Sequence, residues 1–370
     1  MRPAATPMRV CMLAASISFF ALGSLLHAEA VARTRAGAHT EYPGRHWTEV
    51  STPESRGWSA QALAVAKAYA DSIDTAAVIV VDDGVVVSQW GATTTKFNVH
   101  SIRKSFLSSL YGVAVAKKQI DLNATLGQLG IDDNEPALTP EEKRARVIDL
   151  LKARSGIYHA ALYETPAMKA EKPPRGSHPP RSFWSYNNWD FNALGTIYEN
   201  QTHDSIYRAF DTQIARRIGM EDYDPAEQEY VTGPDSIHRA YPFRMSARDM
   251  ARFGLLYLRG GRWGNAQIVP AQWVRDSTTA WSIADGNARD GYSGYGYLWW
   301  VAVNGNHYPN VELPDGSFSA WGAGGHIITV IPALSLVVVH RVNTDDPAKR
   351  VTLDQLGQLL HLILAAKKQP

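Results

Sequence analysis

The chain is almost without cysteine. Of its 370 residues only Cys11 is one, and it lies in an apolar stretch near the start. The rest of the chain has no thiol, which excludes disulfides, thiolate metal sites and cysteine catalysis there. In an oxidising compartment its stability has to come from the core alone. An excess of either charge is also lacking. The formal net charge is +1 and like charges form no block, so the basic face that a nucleic-acid partner needs is missing. No His-Glu-x-x-His or other clustered metal spacing occurs, which argues against a zinc hydrolase. Gly-x-Ser-x-Gly is absent too. "GYSGYG" (291–296) fails that spacing, so a Ser-His-Asp hydrolase is unsupported. "GAGG" (322–325) lacks the spacing and following helix of a phosphate loop. There is no internal repeat.

What is present is an ordinary globular composition, 45% hydrophobic and 20% charged. The length suits one large core or two lobes around a shared cleft. The first thirty residues stand apart. Arg2 and Arg9 precede an uncharged apolar run, Val10–Leu26, and "HAEA" sets Ala28 and Ala30 in an A-x-A arrangement. This pattern predicts a secretory signal over 1–30, cleaved after Ala30, and a periplasmic or secreted protein. The rival reading is an uncleaved membrane anchor, since seventeen residues is near the lower limit for a span. Removing Met1–Ala30 takes away two Arg and one Glu and leaves a formal charge of zero.

Residues 31–57 read as a polar lead-in. From Ser59 to Ile73 the spacing of Leu63, Ala66, Ala70 and Ile73 predicts a helix. Two β-branched runs then flank Asp83-Gly84, a strong hairpin signal. Residues 101–117 read as an apolar helix, and a helical, looped region runs to about 240. Within it, the Pro-rich stretch 165–182 predicts an ordered surface excursion. "YLWWVAV", "HIITVIP" and "LSLVVVHRV" read as strands, the last two joined as a hairpin through "IPALS". Leu353, Leu356, Leu360 and Ile363 form one stripe of a closing amphipathic helix. The expected fold class is α+β: an antiparallel sheet flanked by helices with an inserted helical lobe. A site at the seam between the lobes is the default expectation.

"SIRKSFLSSLYG" (101–112) carries the chemistry-bearing pattern. Ser101 and Lys104 stand at i and i+3, on one helix face with Cβ atoms about 5–6 Å apart. A serine hydroxyl needs a base and a place for the developing oxyanion. The first turn of a helix offers free N–H groups, and a buried Lys104 could shed its proton and accept that of Ser101. Taken alone, Ser-x-x-Lys also occurs by chance in ordinary helices.

Two further stretches add to it: "WSYNNWDFNALG", in which Tyr186 and Asn188 give Tyr-x-Asn, and the Gly-rich "SAWGAGGHIITVIP". Ser-x-x-Lys, Tyr-x-Asn and a Gly-rich strand start, in that order, resemble the serine β-lactamase and penicillin-recognising hydrolase superfamily. The branch most similar is that of β-lactamase-related esterases and D-amino-acid peptidases. "FNVHSIRKSF", "VIDLLKARSGI" and "GGHIITVIPALSLVVV" look like segments of that branch. The resemblance implies a domain over 58–366, with 58–117 and 241–366 forming a sheet lobe and 118–240 a helical lobe. It implies Ser101 as nucleophile, with Lys104 and Tyr186 as acid and base; which of the two holds the mobile proton is left open by the sequence. Asn188 would orient the lysine and the substrate carbonyl. The backbone N–H groups of Ser101 and Ala323 would form the oxyanion hole. Two other Tyr-x-Asn pairs, Tyr198 with Asn200 and Tyr308 with Asn310, do not fit the family's order.

The third motif departs from the pattern. Relatives carry Lys-Thr-Gly or His-Thr-Gly where this chain has Ala320-Trp321-Gly322. The cation that helps hold a substrate carboxylate is absent. This shifts the expectation from β-lactamase or D-amino-acid peptidase, which stay as alternatives, towards an ester or amide hydrolase. A catalytically inactive member that only binds a ligand is a second alternative. Gly322, Trp321 and His326 are candidate substrate-side residues. Tyr158, His159, Arg175 and His178 are candidate pocket or rim residues, and Tyr295, Trp299 and Trp300 candidate core or wall. The resemblance implies no metal and no cofactor, a small-molecule or peptide substrate, and no membrane contact beyond the signal segment.

Overall fold

The computed structural model describes residues 41–283 and 293–368. The expected signal segment 1–30 lies outside the described residues. Within Tyr42–Pro370, the end of the lead-in packs on the domain. Val50 N–H donates to the Val86 carbonyl at 3.0 Å, and Trp47 Nε1 donates to the Arg248 carbonyl at 3.1 Å.

Five helices and eight strands frame the site: α1 (Ala60–Asp71), β1 (Thr75–Asp82), β2 (Val85–Gly91), α2 (Arg103–Ala116), α3 (Asn188–Thr202), α4 (Ala247–Leu258), β3 (Ser282–Ile283), β4 (Ser293–Tyr295), β5 (Trp300–Ala302), β6 (Phe318–Gly322), β7 (His326–Ile331), β8 (Leu336–Val342) and α5 (Leu353–Ala365). The eight strands form one antiparallel sheet in the order β2-β1-β8-β7-β6-β5-β4-β3. The β1–β2 hairpin turns at Asp83-Gly84, where φ is 51° and 90°. Positive φ at both turn residues matches the right-handed twist of the strands, and glycine adopts it without steric cost. The β7–β8 hairpin closes through Pro332–Leu334, with Ile331 opposite Leu336.

Both faces of the sheet are buried, which is why its central strands read as continuous apolar runs rather than alternating ones. On one face Val78, Val80, Ile327 and Val338 pack with Trp58, Leu63, Ala66, Leu356 and Leu360 of the α1 and α5 layer. Asp82 Oδ2 joins the two ends of that layer: it accepts from Trp58 Nε1 at 2.7 Å and Lys367 Nζ at 2.6 Å. On the other face Ile79, Val81, Ile328 and Val337 pack with Met250 and Phe253 of α4, and the same cluster continues through Phe106 and Leu110 of α2 to Trp189 and Leu194 of α3. The helical region therefore shares its core with the sheet. Of the "YLWWVAV" run only Trp300–Ala302 is strand; Leu298 stands at φ 65° and turns the chain before it. The 165–182 excursion contains a short helix, Pro166–Glu171, which the proline content had hidden. Thr165 caps it by accepting from the Met168 N–H, and Pro166 starts it.

Candidate active site

The helix that carries Ser101 and Lys104 is fixed by burial. Phe106, Leu107, Leu110 and Tyr111 are wholly enclosed, each worth roughly 1.5–3 kcal/mol of transfer free energy where apolar. The α-helix starts at Arg103 rather than at Ser101, which stands in a 3-10 turn His100–Ile102 that leads into α2. His100, just before it, has φ 50°. That left-handed value costs a non-glycine residue about 1–3 kcal/mol. The surroundings hold it: His100 N–H donates to Asn98 Oδ1 at 2.9 Å, and Val99 N–H to the Phe243 carbonyl at 2.8 Å.

Lys104 Nζ lies 2.7 Å from Ser101 Oγ. The ammonium position is 4.8 Å from the centroid of the Tyr186 ring and 4.9 Å from that of Phe191. Lys104 is 2% exposed. Burial, with the neighbouring Arg103 charge adding to it, pushes its amine well below the usual lysine range. Tyr186 arrives on the loop before α3. Its ring stacks on Trp300 at 5.5 Å and meets Tyr295 edge-on at 6.0 Å. Ser101 and Tyr186, far apart in the chain, thus line one cleft of about 670 Å³, with Lys104 enclosed behind them.

Asn188, first residue of α3, lines the same cleft. Its Nδ2 donates to the Tyr163 carbonyl at 2.6 Å, and its Oδ1 is buried without a partner among the described residues. One Nδ2 hydrogen is spent on Tyr163; the second can still be donated to a substrate carbonyl, while Oδ1 is left to accept from an amine.

Opposite stands the β6–β7 turn. Gly322 passes so close to the strand before Ser101 that a Cβ would stand 2.3 Å from the Val99 carbonyl oxygen. Only glycine permits that approach. It brings Ala323 to the cleft beside Ser101. Neither the Ser101 N–H nor the Ala323 N–H donates to a described residue. Trp321 forms wall: it stacks on Trp300 at 4.6 Å, and its Nε1 donates to Tyr308 Oη at 2.7 Å. Ala320 is buried in the strand.

His326 reaches the cleft through a polar chain that the sequence did not reveal. Arg341 Nε donates to His326 Nδ1 at 2.9 Å. His326 Nε2 and His100 Nε2 both bond Thr344 Oγ1, at 3.1 and 2.8 Å. An arginine can only donate, so His326 Nδ1 is the unprotonated nitrogen and its Nε2–H donates to Thr344. Burial and the Arg341 charge push His326 well below the usual imidazole range and His100 down to about 4, so both line the cleft as neutral rings. Arg341 is itself buried behind them, its guanidinium spent on the Met245 and Phe97 carbonyls as well. The missing third-motif cation is thus not replaced from this side. The lysine that lines the cleft, Lys172, is paired with Glu164 at 2.8 Å.

Other candidates fall elsewhere. His159 and Arg175 both engage buried Glu142, at 3.3 and 2.8 Å, away from the cleft. His178 stacks on Phe183 at 4.1 Å, and Tyr158 is buried outside the lining. Sequence reasoning missed His100, Tyr163 and Thr344. Only the position of His100, directly before Ser101, gave any signal of a site role. Among the described residues no group of three or more His, Cys, Asp or Glu side chains is placed to hold a metal ion.

A family model described as Beta-lactamase matches residues 61–362. The chain belongs to the beta-lactamase family. Members of that family are generally serine hydrolases. An uncharacterized protein of Alkalihalophilus pseudofirmus is 22% identical over 268 residues, 68% of this chain and 74% of that one. Among solved structures, a Bacillus anthracis protein assigned as a 6-aminohexanoate-dimer hydrolase superposes with a TM-score of 0.63 at 20% identity, covering 88% of this chain and 86% of its own. EstCE1, a hydrolase with promiscuous acyltransferase activity, gives 0.60 at 15% identity, over 83% and 97%. At these identities the two structures speak for the fold.

Proposed function

We propose that this beta-lactamase-family protein is a serine hydrolase that cleaves an uncharged ester or amide through an acyl-enzyme on Ser101. The observation that carries the proposal is the 2.7 Å contact between Ser101 Oγ and a fully enclosed Lys104 amine. An uncharged amine has a lone pair and can take the serine proton. Ser101 Oγ then bonds to the substrate carbonyl carbon, and the carbonyl electrons move onto oxygen. The free N–H groups of Ser101 and Ala323 hold that oxyanion. When the tetrahedral centre collapses, the leaving alcohol or amine departs with the proton, passed from Lys104 through Tyr186. Water attacks the acyl-enzyme by the same route in reverse and releases the acid.

The preference for an uncharged acyl group rests on the cleft lining. Its histidines are neutral, its lysine is paired, and Trp300, Trp321, Met168, Leu353 and Leu356 supply apolar wall. A substrate carboxylate would enter without a free cation to meet it, which weighs against a D-amino-acid peptidase or β-lactamase. The deciding experiment is a panel of p-nitrophenyl esters, D-amino-acid amides and a chromogenic cephalosporin, run on the wild type and on Ser101→Ala. Ester turnover that falls by about a thousandfold or more in Ser101→Ala is expected. Full activity in that variant would defeat the mechanism. Turnover of the cephalosporin alone would move the assignment to a β-lactamase. No labelling of the folded wild type by a fluorophosphonate would leave a ligand-binding protein.

A further inference from the structure

The proposed reaction needs Lys104 without its proton, and the residue beside it is arranged to keep it that way. Arg103 is fully buried. Its Nη2 donates to Asn192 Oδ1 of α3 at 2.8 Å, and its guanidinium lies over the Tyr241 ring at 4.2 Å. Nε and Nη1 are enclosed with no acceptor among the described residues. No carboxylate of the described residues forms an ion pair with Arg103 or with Lys104. Two consecutive residues of one buried turn therefore both carry basic groups that lack a counter-ion.

Burying one unpaired charge is costly, and burying two side by side adds their mutual repulsion. The two groups differ in how they can relieve it. A guanidinium does not give up its proton in a protein, whereas a buried ammonium does. The charge accordingly stays on Arg103, and the amine of Lys104 is the one discharged.

The groups packed around Lys104 do not offset this. From the loop before α3 and from α3 come the Tyr186 and Phe191 rings. From the sheet comes Tyr295, behind Tyr186. Asp190, at the start of α3, is fully buried and accepts from Ser155 Oγ, and burial pushes its carboxyl well above the usual range, which works against a negative charge there. His100, on the same turn as Ser101, is neutral.

We propose that Arg103 is a positioning residue for the reaction: its buried, uncompensated guanidinium, fixed by Asn192 and Tyr241, adds to the burial of Lys104 in keeping it uncharged and able to accept the proton of Ser101. This rests on the serine-hydrolase reading and deepens it. The Arg103 side chain turns to Asn192 and Tyr241, and it acts through its charge rather than by contact.

The test is the pH profile of kcat/KM for a p-nitrophenyl ester in the wild type, Arg103→Met and Asn192→Asp. Arg103→Met removes the charge. Asn192→Asp leaves the guanidinium in place but neutralises it with a near-isosteric carboxylate, so that folding of at least one variant does not depend on a large change of shape. The amine acts in its unprotonated form, so activity rises with pH through its pKa. Losing a positive neighbour raises that pKa, and the acid limb moves to higher pH by about one unit or more in both variants. Activity on the limb falls about tenfold and recovers above it. A second readout needs no turnover: the 13Cε signal of Lys104 in labelled Ser101→Ala protein, assigned by its loss in Lys104→Met, titrates at higher pH when Arg103→Met is added. An unmoved acid limb, a loss equal at every pH, or an unmoved Lys104 signal overturns the proposal and leaves the serine-hydrolase reading intact. Absence of Ser101-dependent turnover in the wild type removes the reading itself.

Discussion

The two sides of the cleft are built on different principles. One side is regular structure: the turn into α2, the β6–β7 hairpin and the strand before Ser101, pressed together until Gly322 nearly touches the Val99 carbonyl. Its polar atoms are tied to each other through Arg341, His326, Thr344 and His100. The other side is the 163–187 excursion, which presents Tyr163, Met168, Lys172 and Tyr186 from a short helix and loops. The lesson is a division of labour. Groups that must keep sub-ångström geometry and an altered charge state stand on the buried frame, while the groups that meet the variable part of a substrate stand on a loop that could change without disturbing the core. Tyr186 is the exception that joins the two: it comes from the loop but is locked against Trp300 and Tyr295 of the sheet.

Three substitutions break or sharpen this contrast. The largest effect is expected at the junction. Tyr186→Phe keeps the ring packing but removes the hydroxyl from the proton path, so kcat for an ester falls by about 10²–10³ while the thermal midpoint changes little. A near-normal kcat would take Tyr186 out of the mechanism. On the framed side, Gly322→Ala forces a Cβ onto the Val99 carbonyl. The expected outcome is a stability loss of about 1–3 kcal/mol in chemical denaturation and a kcat reduced roughly tenfold or more, because the turn bearing Ala323 moves relative to Ser101. Unchanged kinetics there would show that the close approach does not set the site. On the loop side the effect is smallest and of another kind. Met168→Ala is expected to raise KM for long-chain p-nitrophenyl esters by about tenfold or less and to leave acetate turnover nearly as it was. An equal loss on both esters would mean that the loop carries chemistry, and the contrast between the sides would fail.

Much of the fold could be read along the chain. The Asp83-Gly84 turn, the β-branched runs of β1, β7 and β8, and the stripe of α5 are local patterns whose physics is complete within a few residues. The Pro166–Glu171 helix was also legible, through Thr165 and Pro166, but the neighbouring prolines read as loop. The lead-in was not, because Trp47 and Val50 show their use only against Arg248 and Val86. His159 and Arg175 show the converse: polar side chains near a site read as rim from the sequence, whereas both engage a buried carboxylate, Glu142.

By itself, then, the amino-acid order determined which reactive groups exist, in which sequence they follow one another, and that Ser101 and Lys104 stand three positions apart. It also determined that Ala320 offers no cation to an anionic substrate. Only the folded molecule decided that the Tyr186 ring lies beside Lys104, that Asn188 donates to the Tyr163 carbonyl, and that burial lowers the pKa of the histidines of the cleft. The reason is that reactivity here depends on desolvation. Whether an amine or an imidazole keeps its proton is set by how much water and how many opposite charges surround it, and those neighbours come from segments distant along the chain, such as Tyr186 for Lys104 and Thr344 for His100.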